Sequence, residues 1–219
     1  MTSTGPVRPY LGEPAEDRVR SRRARLVETA FALLADNGWR DVRIDALCRR
    51  AGLNKRYFYE SFSSLDEVAG AVVDDLAARL LEVGLRALAE GQAAQVARDE
   101  LTRRVLGAAI AFLTEDPRRA RVLFAEIAGS PAAIAHRRQA IAGLAEALAD
   151  YGHEHHDARG ATDPIAAVGS ALLIGGTAEA ILAWLDDDRG MSRTQLVDDL
   201  ADLWDAVGDR AAARARARL

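Results

Sequence analysis

Residues 38–62, Gly-Trp-Arg-Asp-Val-Arg-Ile-Asp-Ala-Leu-Cys-Arg-Arg-Ala-Gly-Leu-Asn-Lys-Arg-Tyr-Phe-Tyr-Glu-Ser-Phe, decide the fold. They read as two short helices joined by a tight Ala51-Gly52-Leu53 turn. Val42, Ile44, Leu47 and Ala51 give the first helix its buried side, and Leu53, Phe58 and Phe62 anchor the second. The second helix starts on Asn54-Lys55-Arg56 and runs on through Tyr57 and Tyr59. At about 100° per residue, Tyr57, Phe58 and Tyr59 cannot all face one core, so at least one tyrosine is expected outside. A short helix with basic and aromatic side chains at its exposed start, braced by a partner helix, fits a DNA major groove.

Working outward, a first helix is expected from about Arg20 to Asp36, with Leu26, Ala30, Leu33 and Leu34 on one face. Asn37-Gly38 ends it, because glycine tolerates the backbone a helix C-cap needs. Upstream, Gly5, Pro6, Pro9, Gly12 and Pro14 mark residues 1–19 as a flexible arm. Downstream, Ser64-Leu65-Asp66-Glu67 has the form of a capping box and starts a long helix through Val68, Val72, Leu76, Leu80 and Val83 to near Gly91. Further helices are expected from Val96 to Glu115, Pro117 to Ala128, Pro131 to Tyr151, Pro164 to Leu185 and Ser192 to Val207. Three of them start on proline, whose missing N–H does no harm in a first turn. Gly152 to Asp163 reads as a polar loop.

The expected fold class is all-α with about nine helices. Residues 20–63 form a helix-turn-helix head, 64–208 a helical body for ligand binding and dimerisation, and 209–219 an Arg-rich tail. In the last two helices Ile165, Val168, Leu172 and Gly176 form one stripe, and Leu196, Leu200, Leu203 and Val207 another. Gly169, Ser170, Ala171, Gly175 and Ala178 lie beside the first, which suits close helix packing. Such a hairpin pairs naturally with its own copy, so a two-fold homodimer through a four-helix bundle is expected, with Trp204 at its seam or the edge of it.

Composition agrees with a polyanion partner. The 219-residue chain carries a net charge of −4, yet residues 18–60 hold 11 basic and 5 acidic side chains, a local +6 that leaves −10 elsewhere. A basic head on an acidic body touches a polyanion only at the head. The single cysteine, Cys48, falls on the buried side of a short helix and permits no internal disulfide, which points to a cytoplasmic protein. No stretch reaches the roughly 18 apolar residues of a membrane span, and the N-terminus lacks a signal peptide's apolar run. No membrane partner is expected.

In the head, Lys55 and Arg56 can donate to phosphates or to guanine O6 and N7. Asn54 can cap its helix and leave the positive dipole end facing a phosphate. Tyr57 and Tyr59 can bond phosphates or pack against thymine methyls. Arg43, Arg49 and Arg50 are further phosphate candidates.

Residues 22–68 resemble the DNA-binding head of the TetR (tetracycline-repressor-like) family of bacterial regulators. The likeness rests on Leu26…Ala30…Leu34…Asn37-Gly38, on Ile44…Leu47…Ala51-Gly52-Leu53, and on Lys55…Phe58-Tyr59…Phe62 with Ser64…Glu67. It implies an all-α homodimer that binds a palindromic double-stranded operator and is released by a small molecule in its C-terminal body. Carried over by position, the DNA contacts are Arg43, Lys55, Arg56, Tyr57, Tyr59 and Ser61, to which the capping Asn54 is added. The chain departs from the family pattern in three places. Arg43 stands where Thr or Ser is usual, Arg56-Tyr57 replaces a commoner Gly-Thr, and Leu65 replaces a frequent phosphate-binding lysine. Basic side chains at Arg18, Arg20, Arg22 and Arg23 could restore that charge from the minor groove.

The main reading is a ligand-responsive repressor. The alternative is a DNA-associated or partner-binding helical factor with no small-molecule inducer. An enzyme is not expected, since the chain has no Gly-x-Ser-x-Gly elbow, phosphate loop or dinucleotide fingerprint. No cofactor and no metal are expected, His153, His155 and His156 being read as loop residues. Glu126, His136 and Glu179 fall on separate helices. Phe112, Phe124, His136 and Trp184 are the candidate ligand-binding residues, on helices that would surround a central cavity.

Overall fold

The computed structural model describes residues 15–126, 129–155, 164–186 and 190–217, with the side chains at 15, 37, 126 and 147–155 left aside. Among the described residues there are nine α-helices and no strand. Helices α1 (Ala15–Asn37), α2 (Ile44–Ala51) and α3 (Lys55–Ser61) form the head. Helices α4 (Leu65–Ala93), α5 (Arg98–Glu115), α6 (Pro117–Arg121), α7 (Pro131–His155), α8 (Pro164–Asp186) and α9 (Arg193–Arg216) form the body. One apolar core runs through both. Leu26, Leu34, Leu47, Phe58 and Phe62 fill the head, and Val68, Val72, Val73 and Leu76 carry the core along α4 to Ile110, Leu113 and Ile181.

Several boundaries differ from the sequence expectation. Helix α1 begins at Ala15, inside the stretch read as an arm; residues 1–14 of that arm lie outside the described ones. The expected Pro117–Ala128 helix is α only to Arg121 and continues as a π-helical turn, Val122–Glu126. The Gly152–Asp163 loop is helical as far as His155, so His153 and His155 fall on α7 while His156 is not among the described residues. The tail read from residue 209 is helical to Arg216, because Ala212 and Ala215 face inward and Arg98 Nη1 and Nη2 hold Asp209 at 2.7 and 2.9 Å.

Trp204 ties the last hairpin together inside the protomer, its Nε1 donating to Thr177 Oγ1 at 2.9 Å. Ile174, Ile181, Leu196 and Leu200 face the core, whereas Val168, Leu172 and Leu203 stay 66 %, 64 % and 59 % exposed. By length and composition alone α8 could cross a membrane, which amends the expectation that no stretch qualifies; only 22 % of that window is buried.

Candidate nucleic-acid interface

The turn that aims α3 is made by Gly52, whose φ of 64° lies in the left-handed region that glycine adopts without cost. Its N–H closes on Arg49 O, and Leu53 N on Cys48 O, so α2 ends within one residue. Asn54 then accepts from Tyr57 N at 3.0 Å and caps α3, as its position in the sequence suggested. Burial of Phe58 fixes the rotation of α3: Tyr59 is left 59 % exposed with its ring edge-on to Phe58, while Tyr57 is half-buried under the Arg22 guanidinium, 4.2 Å from its ring centre. The exposed tyrosine is therefore Tyr59.

The cations sit at the start of α3 and on the outer side of α2, but paired. Lys55 Nζ lies 2.6 Å from Asp45 Oδ1 in the first turn of α2. That bond, with the carboxylate's charge, holds the lysine ammonium above its ordinary pKa. Arg56 Nε lies 3.1 Å from Glu60 Oε1, and Arg50 Nη1 3.1 Å from Asp36 Oδ2. Arg43 turns back on its own loop, Nη1 donating to the carbonyls of Arg40 and Val42. It occupies the N-cap position of α2 without a side-chain cap, since an arginine has no acceptor to offer.

Two basic residues read as minor-groove candidates brace α3 instead. Arg22 covers Tyr57 and reaches Glu60, and Arg23 donates to Ser61 O at 2.8 Å while stacking on Phe62. Ser61 is thus half-buried, with its carbonyl engaged. Cys48 is buried, and burial pushes its thiol up. The acids Asp45 and Glu60 were not among the expected site residues. The spacing of Arg56 and Glu60 on one helix could have found the second pair; the first depends on how α2 and α3 cross.

The four candidate ligand-binding residues lie on four elements of the body: Phe112 on α5, Phe124 in the π-helical turn, His136 on α7 and Trp184 on α8. Phe112, Phe124 and Trp184 pack partly buried against the common core. Arg119 covers the Phe112 ring at 4.6 Å, and Arg137 Nη1 donates to Phe124 O in the π-helical turn at 2.6 Å. Trp184 Nε1 is tied to Met191 O at 2.9 Å. His136 Nδ1 meets both Asp74 carboxylate oxygens at 2.9 Å, its ring lying so close over Gly70 that a Cβ there would come within 2.9 Å. Among the described residues no group of three or more His, Cys, Asp or Glu side chains is placed to hold a metal ion.

Residues 26–72 match the family model of bacterial regulatory proteins, tetR family. A search of curated proteins returns no match. Solved structures of similar shape include a transcriptional regulator of Pseudomonas aeruginosa PAO1, with 15 % identity and a TM-score of 0.71 over 92 % of this chain and 99 % of that one. The fatty acid degradation regulator FadR of Bacillus halodurans aligns with 16 % identity and a TM-score of 0.69, covering 84 % of this chain and 94 % of its own. A tetR-family regulator of Streptomyces coelicolor aligns with 18 % identity and a TM-score of 0.65, covering 90 % and 89 %. Residues 26–72 thus carry the head of the tetR family of bacterial regulatory proteins, set in the all-helical fold that these solved structures share.

Proposed function

We propose that the protein is a cytoplasmic transcriptional repressor that binds a palindromic operator as a homodimer and leaves it when a small molecule enters the body. The observation that carries this reading is the surface of α3. Asn54, Lys55, Arg56 and Tyr59 are all exposed along a capped helix that the buried Phe58 locks to the core. On this reading residues 20–63 are the DNA-binding unit and residues 64–208 bind the effector and the second copy. Arg43, Tyr57 and Ser61 act at the margin of the contact.

The exposed side chains of Val168, Leu172 and Leu203, with Ala171, Gly175 and Gly176 exposed beside them, support pairing through α8 and α9. A two-fold pair presents two α3 helices, which engage successive major grooves when spaced about 34–36 Å apart. An effector among Phe112, Phe124, His136 and Trp184 would alter that spacing through α4. Switching fully from bound to released takes about 10⁴-fold preference for the released form.

Fluorescence anisotropy with duplexes drawn from beside the protein's own gene tests the reading. Sequence-selective binding that weakens with salt is expected, and its absence overturns the proposal. A thermal-shift screen of metabolites tests the effector: a melting temperature that no compound moves favours a DNA-bound factor without an inducer.

A further inference from the structure

The head is fastened to the body at more places than its chain connection. From Phe62 the backbone passes almost directly into α4, which also packs against α1. A unit joined along one helix can still roll about that helix, and only contacts to other elements take the roll away. Two such contacts are present. Trp39, in the short turn Trp39–Asp41 between α1 and α2, lies on Gly129, just ahead of α7; a Cβ on that glycine would stand 2.7 Å from the ring. Arg118 of α6 holds its guanidinium 5.5 Å from the ring centre of Phe31 in α1. We propose that Trp39 is a positioning residue for DNA binding: seated on Gly129, it sets the roll of the head about α4, and with it the operator spacing at which both α3 helices of a pair engage. The inference rests on the paired DNA-binding reading above.

Of the two contacts, the tryptophan is the stiffer. At 5.5 Å the Arg118 guanidinium is close to the outer limit of about 6 Å for a cation over a ring, and that side chain is half exposed. An indole is broad and has only two rotatable bonds, and Gly129 lets it come down on bare backbone with no side chain between. The seat itself is anchored. Ser130, the next residue, is fully buried, donates to Asp66 in the first turn of α4 and accepts from Ala133 N at 3.1 Å. Gly129 is exposed, so the contact lies at the surface of the seam and not in the core.

Operator geometry shows what a fixed roll does. With 10–10.5 base pairs in 34–36 Å, one added base pair moves the far half-site by about 3.4 Å and turns it by about 35°. A head locked by Trp39 cannot follow that turn, so a spacer one base pair wrong loses one of the two contacts. A head freed to roll follows part of it. Spacing selectivity is therefore a property of the seam, whereas base preference within one half-site belongs to α3.

The test compares wild type, W39A, G129A and W39A/G129A by fluorescence anisotropy. The probes are a palindromic duplex that wild type selects from a random library, the same duplex with one central base pair added or removed, and a duplex carrying one half-site. Wild type is expected to lose about 100-fold or more on either altered spacer, the usual worth of a second linked contact. In W39A that penalty should shrink to about tenfold or less, with half-site binding within about twofold of wild type. G129A, whose methyl presses the ring off its seat, should reduce the penalty likewise, and the double variant should match W39A. G129A carries the test if thermal melts show W39A misfolded. An unchanged penalty, a half-site loss as large as the full-site loss, or a G129A effect that persists without Trp39 overturns the proposal. A wild type that selects no duplex overturns the DNA reading, and one that selects only single half-sites overturns the pairing. Selective palindrome binding with an unaltered spacer penalty in W39A overturns this inference alone.

Discussion

Ser130 donates its hydroxyl to Asp66, joining the start of α7 to the first turn of α4 at the seam between head and body. Asp66 Oδ2 also accepts from Ala132 N at 3.3 Å, and Ser130 Oγ accepts from Ala133 N at 3.1 Å, so one carboxylate and one hydroxyl satisfy a helix end between them. Ser130 is fully buried. Immediately before it, Gly129 lies beneath Trp39 so closely that a Cβ would come within 2.7 Å of the ring. S130A removes the buried donor and is expected to cost about 1–3 kcal/mol. Urea unfolding monitored by circular dichroism checks it; a midpoint equal to wild type would mean the bond contributes nothing.

Arg43 leaves α2 without a side-chain cap, although the backbone there, with φ −132° and ψ 143°, has the extended form a capping residue adopts. R43T supplies the missing acceptor. It is expected to stabilise the protein by about 0.5–1 kcal/mol, the usual worth of such a cap. Thermal melts read the change, and a lower melting temperature would show that Arg43's bonds to Arg40 O and Val42 O matter more.

Glu67 accepts from Ser63 N at 2.7 Å and from Ser63 Oγ at 2.8 Å, which holds its carboxyl below the ordinary carboxylate range. Because the folded value lies below the unfolded one, its contribution is present above the unfolded value and is lost as pH falls through the folded value. E67Q should therefore melt below wild type near neutral pH, the gap closing as pH drops under about 4. A gap constant from pH 7 to pH 3 would rule out the charge as its source.

The double variant V168E/L172E places carboxylates on the exposed stripe of α8, where both side chains are mostly in solvent within the protomer. Light scattering after size-exclusion chromatography is expected to give a monomer, with operator binding lost. A variant that still elutes as a dimer would move the pairing surface elsewhere.

Much of the head was legible because its pattern is local. Leu26, Leu34, Leu47, Phe58 and Phe62 announced the buried sides of three short helices, and each of them is buried. Asn54 and Ser64 announced caps that form, with Ser64 Oγ accepting from Glu67 N at 3.2 Å. The Glu67 side chain, however, reaches back to Ser63 rather than to Ser64 as a capping box would have it. What stayed hidden depends on how helices cross. Lys55 meeting Asp45, Ser130 meeting Asp66 and Trp39 covering Gly129 each join residues on different elements, and no periodicity encodes them. The π-helical turn at Val122–Glu126 likewise sits in a stretch whose residues would suit an ordinary helix.

On the pairing proposed above, the bare stripe on α8 would also set how the protein answers to its own abundance. With the pairing proposed for α8 and α9, protomers too dilute to meet leave Val168, Leu172 and Leu203 in water, and each then presents a single α3. Below the pairing threshold, operator occupancy rises with the square of protein concentration, and melting temperature climbs with dose as well. A modest change in synthesis or turnover then becomes a sharp change in transcription, before any effector arrives.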